Sequence, residues 1–114
     1  MDSYDVVIVG AGPAGLSAAL ILGRCRRRVL ICDTGLPRNR ASHALHGFLT
    51  RDGIPPLEFL KIARQQLQPY QTVEFCDIEV KEVRRTDGGF IINSDISCRK
   101  LLLATGVIDR LPQI

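Results

Sequence analysis

Gly10-Ala11-Gly12-Pro13-Ala14-Gly15 lies between a β-branched run and an apolar stretch of helical period. That order of segments leaves the chain little choice of fold. Residues 4–9 read Tyr-Asp-Val-Val-Ile-Val, a composition suited to a strand buried on both faces. Gly10 ends that strand, and Pro13 stands where the first turn of a helix tolerates a missing N–H. Residues 13–24 are predicted to be a helix with Leu16, Ala19, Leu20 and Gly23 on one face. A second apolar strand, Val29–Cys32, ends at Asp33, so the first third of the chain is a right-handed parallel β-α-β crossover. The basic residues between them, Arg24, Arg26, Arg27 and Arg28, read as a solvated helix exit that complements the C-terminal dipole.

The glycine pattern G-x-G-x-x-G is weak alone. After a strand, before a helix and followed by an acidic residue at the end of the next strand, it points to a dinucleotide. Gly10 allows the tight turn, Gly12 lets the backbone approach a pyrophosphate, and Gly15 lets the helix pack on the sheet. The unpaired amides of the first helical turn, among them those of Ala14 and Gly15, then meet the phosphate charge. Asp33 stands 18 positions after Gly15, where a carboxylate accepts hydrogen bonds from ribose hydroxyls. A carboxylate there repels a 2′-phosphate, and Arg38 and Arg40 come too late in the chain to offset it. FAD and NAD both fit these residues.

The remaining segments place this unit in an α/β fold. Residues 34–54 are expected to be irregular, a loop long enough to imply a function. Pro55-Pro56 opens a helix predicted to run to about Gln68, with Phe59, Leu60, Ala63 and Leu67 facing inward. From Thr72 the period becomes two, giving strands at 72–75, 78–84 and 90–93 around a Thr86-Asp87-Gly88-Gly89 turn. A short strand at 96–98 and a buried apolar strand at 101–104 complete the reading, which ends at Thr105-Gly106. The expected architecture is a Rossmann-like parallel sheet flanked by helices, with a small antiparallel β-meander.

With 114 residues, 46% hydrophobic and 24% charged, the chain suits one small globular domain and leaves no room for a separate substrate domain. A net charge of +3, no Trp and 5% aromatic residues do not suit a nucleic-acid groove. The four cysteines, at 25, 32, 76 and 98, match neither a zinc site nor a CxxC pair and read as reduced packing residues. No metal site is expected. Val6–Leu22 is uncharged but broken by glycines, preceded by acidic residues and shorter than the ~20 residues of a membrane span. The expected location is cytoplasmic, with no membrane or nucleic-acid partner.

Asp5-Val-Val-Ile-Val-Gly-Ala-Gly-Pro-Ala-Gly-Leu16, with Ala18-Ala19, resembles the opening of the two-dinucleotide-binding-domain flavoproteins. Ala104-Thr105-Gly106 followed by Leu111-Pro112 resembles their second fingerprint. The middle of the chain narrows the likeness: Arg38-Asn39, Ser42-His43, His46-Gly47-Phe48-Leu49, Arg51-Asp52-Gly53, Pro56 and Phe59-Leu60 resemble low-molecular-weight thioredoxin-reductase-like oxidoreductases. The resemblance implies that Gly10, Gly12, Pro13 and Ala14 hold an FAD pyrophosphate and that Asp33 holds the adenosine ribose. It places Arg38, Asn39 and His46 along the pyrophosphate and flavin side, Val80 against the adenine through its backbone, and Ala104, Thr105 and Gly106 over the nucleotide. His46 also reads as a loop histidine paired locally. Asp33 departs from the Glu of many relatives.

In such proteins a reactive CxxC and an NADPH-binding glycine motif lie beyond the Thr-Gly segment, and neither occurs in this sequence. Residues 1–114 are therefore expected to be the N-terminal part of an FAD-binding domain, with no catalytic residue, weak or absent FAD binding alone and an exposed edge prone to self-association or homodimer formation. The whole protein is expected to pass electrons from NADPH through FAD to a dithiol or disulfide, either a small molecule or a thioredoxin-like protein. An FAD-dependent monooxygenase or oxidase, and a non-catalytic dinucleotide-binding remnant, are the alternatives.

Overall fold

The computed structural model describes residues 2–33 and 53–104. They form β1 (Asp2–Val9), α1 (Pro13–Arg24), β2 (Val29–Cys32), α2 (Pro56–Leu67), β3 (Val73–Cys76), β4 (Val83–Thr86), β5 (Gly89–Ile92) and β6 (Ile96–Leu103). The strands make one six-stranded sheet in the order β3-β2-β1-β6-β5-β4. β3, β2, β1 and β6 are mutually parallel, while β5 and β4 continue the sheet antiparallel. The expected meander is thus present, and its third strand is β6 itself.

Strand periodicity divides the core. Tyr4, Val7, Leu30, Cys32, Ile92, Ile96 and Cys98 pack on one face of the sheet. Ile8, Val29 and Ile31 point to the other, where Ala11, Leu16 and Ala19 from the first crossover and Leu67 of α2 cover them. Val7, Ile8, Val29 and Ile31 are completely buried. Each such side chain contributes roughly 1.5–3 kcal/mol relative to exposure. Both helices pack into this second cluster, Leu60 and Ala63 of α2 among its partly buried members. The first face is covered instead by Ile78 and Val80.

The helix limits follow local chemistry. Pro occupies the first turn of both helices, where its missing N–H costs nothing. At the end of α1, Arg26 donates its amide to Gly23 O at 3.0 Å and Arg27 donates to Leu22 O at 3.0 Å, with Arg26 at φ 57°. This is the Schellman exit with arginine at the position usually held by glycine.

Two strand expectations need correction. Residues 78–84 were predicted as one strand, but only Val83–Thr86 pairs. Asn93 explains the difference: its Oδ1 accepts the amides of Lys81 and Glu82 at 2.9 and 3.1 Å, and its Nδ2 donates to Glu79 O at 2.9 Å. Backbone groups taken by a side chain are not offered to a neighbouring strand. The separate strands at 96–98 and 101–104 are one strand, because β6 pairs with β1 along its length. Nor is its apolar end buried: Leu102 is 38% and Leu103 68% exposed.

At the opposite end of the sheet Tyr4 Oη donates to Glu74 Oε2 at 2.7 Å, and the Arg28 guanidinium lies 4.5 Å above the Tyr4 ring. Arg28 is therefore engaged with the sheet rather than being only part of a solvated helix exit. Burial, and then the bond to Glu74, push the Tyr4 phenol up to about 12. A proton held more tightly in the folded state stabilises it fully below the unfolded pKa near 10, and that contribution is lost as pH rises through about 12. Tyr4→Phe is expected to cost about 1 kcal/mol at pH 7. In denaturant titrations between about pH 9 and 12, this variant should lose less stability than the wild type.

Candidate functional site

The carboxyl ends of the four parallel strands are in register: Cys76 pairs with Cys32, Cys32 with Val9, and Val9 with Leu103. The next residue on three of these strands is a predicted site residue. Main-chain bonds fix this row, with Ala104 N donating to Val9 O at 2.8 Å, Gly10 N to Cys32 O at 2.8 Å, and Asp33 N to Cys76 O at 3.0 Å. The chain leaves β1 toward β2 and β3 and later returns to the other side of β1 as β6. Gly10, Asp33 and Ala104 thus flank the point where the strand order reverses, the position at which open α/β sheets form a ligand crevice.

The glycines differ in what they do. Gly10 has φ 111°, a left-handed backbone that a side chain would strain. At Gly15 a Cβ would collide with the Gly10 carbonyl oxygen and lie 3.3 Å from Ile8 Cγ2. Gly15 therefore sets the distance between α1 and the sheet. At Gly12 a Cβ would have no neighbour within 4 Å. Packing within the described residues does not demand glycine there, so the absent side chain leaves room beside the helix start. Gly12 caps α1 with no side-chain bond, and no acidic residue stands in the first turn. Pro13 has no N–H and Leu16 N already donates to Gly12 O at 3.0 Å, which leaves the amides of Ala14 and Gly15 without intrahelical acceptors, and no carboxylate competes for their partial positive charge.

Asp33 closes the other side. Its Oδ2 accepts a hydrogen bond from Arg64 Nη2 of α2 at 2.7 Å, an ion pair in which the Asp33 side chain is 17% exposed and Arg64 40%. The same guanidinium stacks 4.7 Å from the centre of the Phe75 ring. Sequence reasoning passed over Arg64, which lies 31 residues from Asp33 and reads as an ordinary basic residue in a last helical turn. Asn93 was missed likewise. It holds the residues on either side of Val80, whose side chain packs on the first core cluster. Ala104 packs on the second cluster. Arg38, Asn39, His46, Thr105 and Gly106 lie outside the described residues.

Cys32 and Cys98 are buried, Cys76 is half-buried and Cys25 is exposed. Burial, with Cys76 and Cys98 nearby, pushes the Cys32 thiol up to about 11, and burial also raises that of Cys98. These two thiols stay protonated at neutral pH and serve packing. Exposed Cys25 has no such packing role. Among the described residues no helix is long and apolar enough to cross a membrane.

Comparison with known proteins fits this geometry. Residues 4–114 match the family model described as pyridine nucleotide-disulphide oxidoreductase. A protein of Arthroderma benhamiae named "Probable thioredoxin reductase" is 40% identical over 96% of this chain, and the thioredoxin reductase aclD of Aspergillus oryzae is 36% identical over 97% of it. The chain spans 30% and 37% of those two relatives. The crystal structure of an oxidoreductase from Agrobacterium tumefaciens superposes on all of this chain and 40% of its own, with TM-score 0.88 and 42% identity.

The two glycines can be separated by their effect on stability. Gly15→Ala is expected to cost roughly 2–3 kcal/mol, because helix or turn must move. Gly12→Ala should cost about 1 kcal/mol or less, the difference between glycine and alanine as N-cap. Chemical denaturation of the two variants measures both.

Proposed function

Since this chain belongs to the pyridine nucleotide-disulphide oxidoreductase family, we propose that residues 1–114 are the N-terminal part of an FAD-binding domain. Their role is to hold the adenosine and pyrophosphate end of the cofactor. The observation that carries this reading is the contrast between Gly12 and Gly15: one leaves space that no described residue fills, and the other is demanded by packing alone. The space opens at an uncapped helix start, where a doubly charged pyrophosphate is favoured. Asp33 Oδ1 has no partner among the described residues, so the carboxylate retains an acceptor for ribose hydroxyls. These features fit an adenine dinucleotide, and the thioredoxin reductase relatives favour FAD over NAD.

In this assignment Gly10, Gly12, Pro13, Ala14 and Gly15 form the pyrophosphate cradle and Asp33 binds the ribose. Val80 offers its backbone to the adenine, and Ala104, Thr105 and Gly106 close over the nucleotide. Arg38, Asn39 and His46 are assigned to the pyrophosphate and flavin side. When bound, the isoalloxazine supplies the redox chemistry. The chain's own residues bind and orient the cofactor, and none of them is assigned as acid, base or nucleophile. For the whole protein the proposed activity is electron transfer from NADPH by way of FAD to a dithiol or disulfide, carried by a small molecule or a thioredoxin-like protein in the cytoplasm. Homodimer formation is part of the same proposal.

Flavin fluorescence titration of the whole protein tests the cofactor assignment, since residues 1–114 alone are expected to bind FAD weakly or not at all. FAD should bind saturably, ADP should compete with it, and Gly12→Ala should weaken FAD at least about tenfold while remaining folded. Absence of saturable FAD binding, or unchanged affinity in Gly12→Ala, contradicts the assignment.

A further inference from the structure

We propose that Arg64 is a positioning residue for dinucleotide binding, acting through the Asp33 carboxylate; the proposal rests on the cofactor assignment above. Asp33 is fixed by two contacts, one from each of two other elements. Its amide is bonded to the Cys76 carbonyl of β3, and its Oδ2 to Arg64 of α2. The arginine is itself held flat against Phe75, which lies one residue before Cys76 on β3. Aspartate has only two side-chain rotations, of which χ2 sets the plane of the carboxylate. With Oδ2 committed to a guanidinium that cannot deprotonate, the plane of the carboxylate is set, and Oδ1, without a partner among the described residues, is the oxygen left to accept from a ribose hydroxyl.

The placement of the pair argues against an ordinary surface ion pair. The carboxylate is mostly buried, and it belongs to the row of residues at the carboxyl ends of the parallel strands. A surface pair would hold two long side chains loosely and contribute little. Here the acid is short, its backbone is hydrogen-bonded, and the base is stacked on a ring. The aspartate therefore presents an oriented anionic acceptor at its shorter reach from the backbone.

The test is a double-mutant cycle read by FAD dissociation constant, using Arg64→Met, Arg64→Lys, Asp33→Asn and the double variant Asp33→Asn/Arg64→Met. Methionine retains an apolar stem over Phe75, so that packing is largely kept, and melting temperatures report the fold independently. Arg64→Met should weaken FAD about tenfold in the wild-type background and leave it unchanged in the Asp33→Asn background, while Arg64→Lys should recover part of the loss. A loss of equal size in both backgrounds would make Arg64 merely structural and overturn the proposal, as would no loss in Arg64→Met. The cycle is measured in the whole protein; if its wild type binds no FAD, the cofactor assignment itself falls, which the other two outcomes leave standing.

Discussion

The contact between Gly15 and the Gly10 carbonyl governs the arrangement at the carboxyl end of the sheet. It brings α1 against the turn after β1 at a distance no side chain permits. Because α1 sits there, its first amides face the space above β1 and β2, and Leu16 and Ala19 fill the layer over Ile8, Val29 and Ile31. The turn's own backbone is committed as well, since Gly10 donates to Cys32 one residue before Asp33. Helix start and acidic residue are consequently held by the same few bonds. A displacement of α1 would alter the distance between them, which is the dimension a dinucleotide spans.

The second constraint is the parallel register. Val9, Cys32, Cys76 and Leu103 are level across four strands, and the amides of Gly10, Asp33 and Ala104 extend that row by one residue. Three segments far apart in sequence thus arrive at one edge with their main chains already satisfied. What they present toward the crevice is what those bonds do not use: the α1 amides, the remaining Asp33 oxygen and the room beside Gly12. Arg64 and Asn93 are secondary supports of this edge. The first orients the Asp33 carboxylate; the second fixes the main chain around Val80.

Local signals made much of this legible. Proline at a helix start, a Gly-bounded strand and a four-residue apolar run suffice to place α1 and β2, whose observed limits coincide with those read from sequence. The inward residues of α2 follow from period alone, with Phe59 and Leu67 buried and Leu60 and Ala63 half-buried. The misreadings share a cause in tertiary structure. Residues 78–82 have strand-like alternation, but Asn93, more than ten positions later, takes the amides of Lys81 and Glu82 and the carbonyl of Glu79. Leu101-Leu102-Leu103 is apolar enough for a buried strand, yet burial depends on what covers each face, and composition does not report that. Arg64 carries no signal in its own neighbourhood, because its partners Asp33 and Phe75 come from other elements. The glycine motif and Asp33 were legible as a candidate site because strand, turn and helix are consecutive there.

We propose that the row formed by Gly10, Asp33 and Ala104, together with the start of α1, is where the adenine dinucleotide binds. Backbone amide NMR during an FAD titration tests it residue by residue. The largest shift changes should fall on Gly10–Gly15 (Pro13 lacking an amide), Asp33 and Ala104, while β4, β5 and the Asp87-Gly88 turn remain unperturbed. Shift changes centred on the antiparallel strands, with the glycine turn and Asp33 unmoved at saturating FAD, would contradict it.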